Sequence, residues 1–186
     1  LGSGDISVHL LIYVHRVVGL DSGLYFLIRN EEDLADVKQN CHAYFFWEIV
    51  HDAPNMLNLY LLQKGDVRQE ATFASCQQDI AGDGAFSVGM IAKFKENVET
   101  NPFLYRRLFW ETGVIGQILY LEAEAHSVRG TGIGCFFDDV VHKLLGLDDN
   151  TYQSLYHFTI GGALEDTRIT TLPPYHHLKK KNHNHE

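Results

Sequence analysis

No stretch of this 186-residue chain stays apolar for the roughly 18 residues that a membrane-spanning helix needs. Its start shows no basic-then-apolar leader with a small-residue cleavage site, so the expectation is a chain without a secretory signal or membrane partner. Basic residues are scarce. Fifteen Lys and Arg stand against 24 Asp and Glu, for a net charge of −9. That balance argues against nonspecific nucleic-acid binding, which needs a basic surface. Cysteine is scarce too: Cys41, Cys76 and Cys135 are far apart, odd in number and form no CxxC pair. The plain reading is unpaired thiols in a reducing, cytoplasmic compartment. There is no GK[ST], which excludes a P-loop. No internal repeat and no Pro/Gly/Ser-rich linker divides the chain. A single domain is therefore expected over residues 1–174, with residues 175–186 as a charged, disordered tail.

What is present suffices for a core: 45% of residues are hydrophobic and 12% aromatic. VHLLIYV (8–14) and LYFLIRN (24–30) read as strands joined through GLDSG, a hairpin with a slightly long loop. EEDLADVKQN reads as a short helix, with acids at its start and Lys38 near its end. NLYLLQKGD (58–66) reads as a strand, VRQEATFASCQQDIA (67–81) as a helix and AFSVGMIAKF (85–94) as a strand. Asn101-Pro102 opens a long helix, with proline at an early position where its missing N–H costs little. Trp110, Val114, Ile118, Leu121 and Ala125 mark that helix's buried stripe. DDVVHKLLGL reads as a helix ended by Gly146, and SLYHFTIGG as a last strand. Mixed strands and helices without regular βαβ alternation define an α+β fold.

The most informative segment runs from Glu111 to Asp139. A long helix carrying Gly113 and Gly116 at its middle leads into Gly130, Gly132 and Gly134. A mid-helix glycine costs about 1 kcal/mol relative to alanine, which points to close approach of another element or a ligand. The alternate glycines could let a flat ligand lie on the main chain. The bland alternative is a helix C-cap followed by a glycine-bearing buried strand. A Rossmann fingerprint is rejected, because a helix rather than a strand precedes these glycines.

Other candidates carry plain readings of their own. Asp138, Asp139 and His142 could pair on a metal, but capping acids and a half-buried histidine explain them, and no third ligand follows. His176, His177, His183 and His185 read as a solvated tail. Cys76 could be a nucleophile and Cys135 could face a ligand; packing explains both. Arg106, Arg107, Arg129 and Arg168 could contact an anion, although lone arginines are usually solvated. No metal and no catalytic residue is assigned.

Several motifs then fall in order. Gly113, Gln117, Leu119, Leu121, Ala123 and Ala125 lie on the helix; Gly130, Thr131, Gly132, Cys135 and Phe136 form the loop; Gly161, Gly162 and Arg168 follow the last strand. This series, with SCQQDIAGDGAFSVGM upstream, resembles the nitroreductase-like flavoproteins, in particular the branch of the SagB-type dehydrogenases, over roughly residues 58–174. The resemblance implies a central, mostly antiparallel sheet flanked by helices, with one long core helix. It implies an FMN-dependent oxidoreductase acting on a small molecule, with a noncovalent flavin at a dimer interface and NAD(P)H as a reductant. Gln117, Gly130, Thr131, Gly132, Ile133 and Gly134 would contact the flavin, and Arg168 its phosphate. Family members also carry an Arg-Arg-Ser-x-Arg motif that grips the phosphate, and this sequence has none. A companion chain supplying that motif, or a non-catalytic partner domain that keeps the fold, is the alternative implied. A metal-dependent hydrolase built on Asp138, Asp139 and His142 is a third.

Overall fold

In a computed structural model, which describes residues 6–51, 53–54 and 57–178, strands and helices alternate irregularly along the chain. The sheet strands are β1 (Val8–Val14), β2 (Gly23–Ile28), β3 (Glu48–Ile49), β4 (Asn58–Lys64), β5 (Phe86–Lys93), β6 (Arg129–Ile133) and β7 (Tyr152–Gly161). They form one sheet of order β3-β4-β2-β1-β5-β7-β6, with every pairing antiparallel. The helices are α1 (Leu34–Asn40), α2 (Arg68–Ala74), α3 (Ile80–Asp83), α4 (Lys95–Thr100), α5 (Leu104–Ala125) and α6 (Asp138–Leu145).

The alternation of side chains along β1 shows why both faces are covered. Leu11 and Tyr13 join one apolar layer beneath α1, α2, α3 and α6; Val8 and Leu10 join another beneath α5. Burying a leucine or isoleucine side chain contributes roughly 1.5–3 kcal/mol, so two such layers hold the sheet from both sides. In β7 the register slips opposite Met90/Ile91, so that Tyr152, Ser154, His157 and Thr159 are all buried polar or aromatic residues.

The hairpin, the central strands and the two helices flanking the glycine segment form where the residues predict. Four expectations are corrected. The helix expected over 67–81 is two short helices, because Cys76 and Gln77 take left-handed backbone (φ 56° and 59°), which a helix cannot continue through. Pro102 lies in a turn held by Leu104 N–H donating to the Asn101 carbonyl, and α5 starts after it. Asp138 and Asp139 occupy the first turn of α6 without capping it; the N-cap is Phe137. Finally, the expected buried stripe of α5 faces outward. Trp110 is 50% exposed and Leu121 61%, with Val114, Ile118 and Ala125 also exposed, while Leu108, Thr112, Ile115, Gly116 and Ala123 pack inward. Of the expected tail, His176–Leu178 form a single 3-10 turn, and residues 179–186, with His183 and His185, lie outside the described residues. Among the described residues no helix is long and apolar enough to cross a membrane.

Candidate active site

The glycine segment is an edge strand. After α5, Val128 N–H donates to the Ala123 carbonyl and turns the chain back, so that β6 runs along β7 at the border of the sheet. Gly130, Thr131, Gly132 and Ile133 all lie in β6, and Gly134 follows it. Ile133 points into the core and Thr131 is exposed.

The chain's own aromatic rings explain two of the glycines. A Cβ on Gly130 would sit 2.7 Å from the Phe158 ring, and one on Gly132 would collide with the Tyr156 hydroxyl. On this face the sheet fills the space that a flat ligand was expected to use. The Gly132 N–H also donates to the Tyr120 hydroxyl, at 2.8 Å, and the Tyr120 ring meets Phe158 edge-on at 4.8 Å. Gly116 is explained likewise, by Tyr156 Cε1 at 3.0 Å from its would-be Cβ. Gly113 and Gly134 differ: nothing lies within 4 Å of either Cβ position. Gln117 is on the same outward side of α5 as Trp110, Val114 and Leu121.

Beside β6 an open cleft of about 970 Å³ runs between Arg16, Asp83, Gly84, Arg129, Gly130 and Thr131, and reaches Gly161 and Gly162. That volume is near the top of the range for small-molecule sites. The cleft brings together two of the sequence-predicted site residues, Gly130 and Thr131, with the downstream glycine turn. Gln117 and Arg168 do not line it. The Arg168 guanidinium instead forks onto Asp166, with Nε–Oδ1 at 2.9 Å and Nη2–Oδ2 at 2.7 Å, in an exposed segment after β7. Its arginine partner holds the Asp166 carboxyl below the usual range. Arg16, which no motif marked, is fixed at the cleft by donating to the carbonyls of Asp83 and Gly84. Arg129 pairs with Glu124 at 3.1 Å.

Below the loop, His157 is buried between Ser75 and Ser154, with Oγ–Nδ1 and Oγ–Nε2 both at 3.1 Å. Phe136 stacks on its ring at 4.7 Å and 10°. Burial holds the imidazole down at about 4, hence neutral. Three types of residue met here escaped sequence reasoning: the tyrosines at Gly132, the histidine under Phe136 and the arginine from the end of β1. Only pairing across the sheet places them together.

The expectation of unpaired cysteines is corrected as well. Cys76 and Cys135 are joined by a disulfide with a Cα–Cα separation of 5.7 Å, so that in the bridged form neither is a nucleophile or a ligand, and the premise of unpaired thiols behind the cytoplasmic reading falls. Only Cys41 is free, buried, with its thiol pushed up to about 12. Asp138 accepts from Gln153 Nε2 at 2.9 Å, and the His142 Nε2 is buried without a hydrogen-bond partner among the described residues. Among the described residues no cluster of three or more His, Cys, Asp or Glu side chains could hold a metal ion.

A flavin mononucleotide can be tested against this geometry. A planar ring needs an unobstructed stretch of backbone, which Gly134 and the exposed edge of β6 offer; the inner faces of Gly130 and Gly132 do not. A phosphate needs a cation near glycine backbone, which Arg16, Arg129 and the Gly161-Gly162 turn offer at the cleft. The residues present therefore fit the group on the outer side of the strand.

The family model "Nitroreductase family" matches residues 28–162 of the chain. Among solved structures, two chains described as "putative nitroreductase" are similar. The one from Anabaena variabilis ATCC 29413 has a TM-score of 0.63 at 24% identity, covering 85% of this chain and 27% of that one. The one from Ralstonia eutropha JMP134 has a TM-score of 0.56 at 14% identity, covering 87% and 60%. A chain of the E. coli microcin synthetase McbBCD complex, solved with truncated pro-MccB17 bound, has a TM-score of 0.59 at 14% identity, covering 86% and 53%. This chain thus spans between about a quarter and three-fifths of the length of these structures. No curated protein matches it.

Proposed function

The chain belongs to the nitroreductase family, and from that premise we propose that it is the flavin-binding part of an FMN-dependent oxidoreductase acting on a small molecule. The observation that carries the reading is the outward face of α5. Trp110, Val114, Ile118 and Leu121 form an apolar stripe that stays 39–61% exposed among the described residues, on the helix that delivers the glycine strand. A stripe of this size calls for a covering surface. A second copy, or a companion chain, would cover it and close the flavin site from outside. Gly113, open on the same helix, lets that surface or the flavin come close to the backbone.

When bound, the flavin supplies the hydride chemistry, accepting from NAD(P)H or from the substrate itself. The chain's residues have simpler tasks. The backbone of Gly130 to Gly134 supports the ring edge, Thr131 and Gln117 offer polar contacts, and Ile133 keeps water from behind the strand. Arg168 already donates from its Nε and Nη2 to Asp166, and Arg16 and Arg129 line the cleft. The likeness in sequence motifs to the SagB-type branch favours a dehydrogenase within the family.

A second reading has its own support. The inner faces of Gly130 and Gly132 are filled by the chain's aromatics, and Arg168 is already paired. Both suit a non-catalytic partner domain that keeps the fold and leaves flavin binding to another chain. Visible absorbance of the purified protein, before and after FMN addition and gel filtration, separates the two. Flavin bands that co-elute with the protein support the oxidoreductase. A colourless protein at saturating FMN overturns it in favour of the partner domain.

A further inference from the structure

The bridge between Cys76 and Cys135 joins two segments that the sheet alone leaves separate: the turn between α2 and α3, and the loop that leaves β6. Small domains use disulfides as staples when they lack a core. This chain has apolar layers on both faces of a seven-stranded sheet, so the bridge does not stand in for a missing core. Its position indicates another role. Cys135 is exposed and Cys76 half-buried, whereas Cys41 is sealed in the core with a thiol raised well out of the reactive range.

Cys76 and Gln77 are consecutive non-glycine residues in the left-handed region, a conformation that persists only where the surroundings enforce it. The bridge is one such enforcement. On the loop side three other contacts hold the segment beside the bridge: Phe137 N–H to the Ala74 carbonyl at 2.8 Å, Gln78 Nε2 to the Cys135 carbonyl at 3.1 Å, and Phe136 stacked on His157. The two thiols would stay close enough to rejoin.

We propose that Cys76 and Cys135 form a reversible thiol–disulfide site, opened by a dithiol and closed by a small-molecule disulfide, that clasps the Gly134–Phe137 loop to the α2–α3 turn. In opening, a reductant thiolate attacks the sulfur of Cys135, the more exposed of the two residues. A mixed disulfide forms, the Cys76–Cys135 bond breaks, and the Cys76 thiolate takes up a proton. The reductant's second thiol then displaces Cys135, which leaves as a thiol, and the reductant departs as its own disulfide. Two electrons and two protons move from the reductant to the protein. This proposal rests on the cysteine geometry, not on the flavin reading. If that reading also holds, opening the clasp loosens the loop beside Gly134.

The test uses the full chain in its native state. Protein purified without reductant is exposed to a maleimide mass tag before and after mild dithiothreitol treatment, then again after incubation with glutathione disulfide. The expected result is no adduct at first, two after reduction, at Cys76 and Cys135 by peptide mapping, and none again after reoxidation, with circular dichroism unchanged throughout. Limited proteolysis should cut within residues 134–137 several-fold faster in the reduced form. Tagging of both cysteines before any reduction, with no closure by glutathione disulfide, overturns the proposal. So does a bridge that yields to dithiothreitol only in denaturant, or a reduced protein that loses its secondary structure. None of these readouts depends on FMN, so a failed flavin titration leaves the outcome legible.

Discussion

The hydroxyl of Tyr120, on α5, receives the amide hydrogen of Gly132 at 2.8 Å, so the edge of the glycine strand is finished by the helix that precedes it. Replacing Tyr120 by Phe keeps the ring against Phe158 and removes the acceptor. The amide is partly solvated, so the loss should be that of one ordinary hydrogen bond, about 1 kcal/mol. In a chain of this size that lowers Tm by roughly 2–4 °C, measurable by calorimetry. An unchanged Tm would mean that water replaces the hydroxyl without cost.

Gly132 and Gly134 make a discriminating pair. Alanine at 132 drives a methyl group into the Tyr156 hydroxyl and should destabilise the fold by about 1–3 kcal/mol, the range of an overpacked site. Tyr156→Phe should restore part of that loss. Alanine at 134 meets nothing within 4 Å and should leave chemical denaturation within about 0.5 kcal/mol of the parent. If the flavin lies on the outer side of the strand, Gly134→Ala will nevertheless weaken FMN binding. Equal FMN affinity in this variant would move the ring elsewhere.

His157 sets a pH dependence with a definite sign. Its folded value, about 4, lies below the ordinary value of 6.5. Between the two the unfolded chain binds the extra proton, so stability falls as pH drops from 6.5 towards 4 and changes no further from this group below that. The cost at pH 5 relative to pH 7 is about 2 kcal/mol. Burial lowers His9 and His15 as well, and they act in the same direction. Denaturant unfolding of His157→Asn at the two pH values should show a flatter dependence than the parent. A parallel dependence would assign the effect to other histidines.

The outward face of α5 can be charged without touching the core. Trp110→Glu with Ile118→Glu places carboxylates where both side chains are about half exposed. Sedimentation should show the parent associating and the double variant as a single chain, with Tm measured at low concentration little changed. Equal sedimentation of the two proteins would remove this face from any self-association.

Arg168 and Asp166 are tied to one another, so their variants should act oppositely. If the guanidinium serves the FMN phosphate, Arg168→Ala weakens FMN binding by about 1.5–3 kcal/mol, as for a charged hydrogen bond. Asp166→Ala releases the arginine and tightens binding. Two unchanged affinities would take Arg168 out of the site and leave the phosphate to Arg16 and Arg129.

Much of this architecture is legible in the residues. VHLLIYV is β1 from end to end, and the spacing of DDVVHKLLGL with Gly146 delimits α6. What periodicity could not decide is which side of α5 faces inward. The helix is apolar on two sides, Leu108, Ile115 and Ala123 on one and Trp110, Val114, Ile118 and Leu121 on the other, and only the location of β7 chooses between them. The break after Ala74 was hidden for a similar reason. Nothing in SCQQD forbids a helix; what accompanies the break there is a bond to Cys135, 59 positions away. Within the site, the family pattern found the strand that carries the glycines. It did not find the rings that fill two of them, because those rings arrive from later in the chain.

The order of the sheet has a consequence for how the chain assembles. Among the described residues β6 has a single neighbour, β7, which follows it in the chain. Strands β1 to β5 can pair with one another as soon as they exist, Leu10 opposite Leu27 and then opposite Met90. The glycine strand cannot join them until Phe158 and Ile160 have emerged to receive it. During synthesis the segment that builds the site therefore waits as an unpaired strand until β7 emerges beside it.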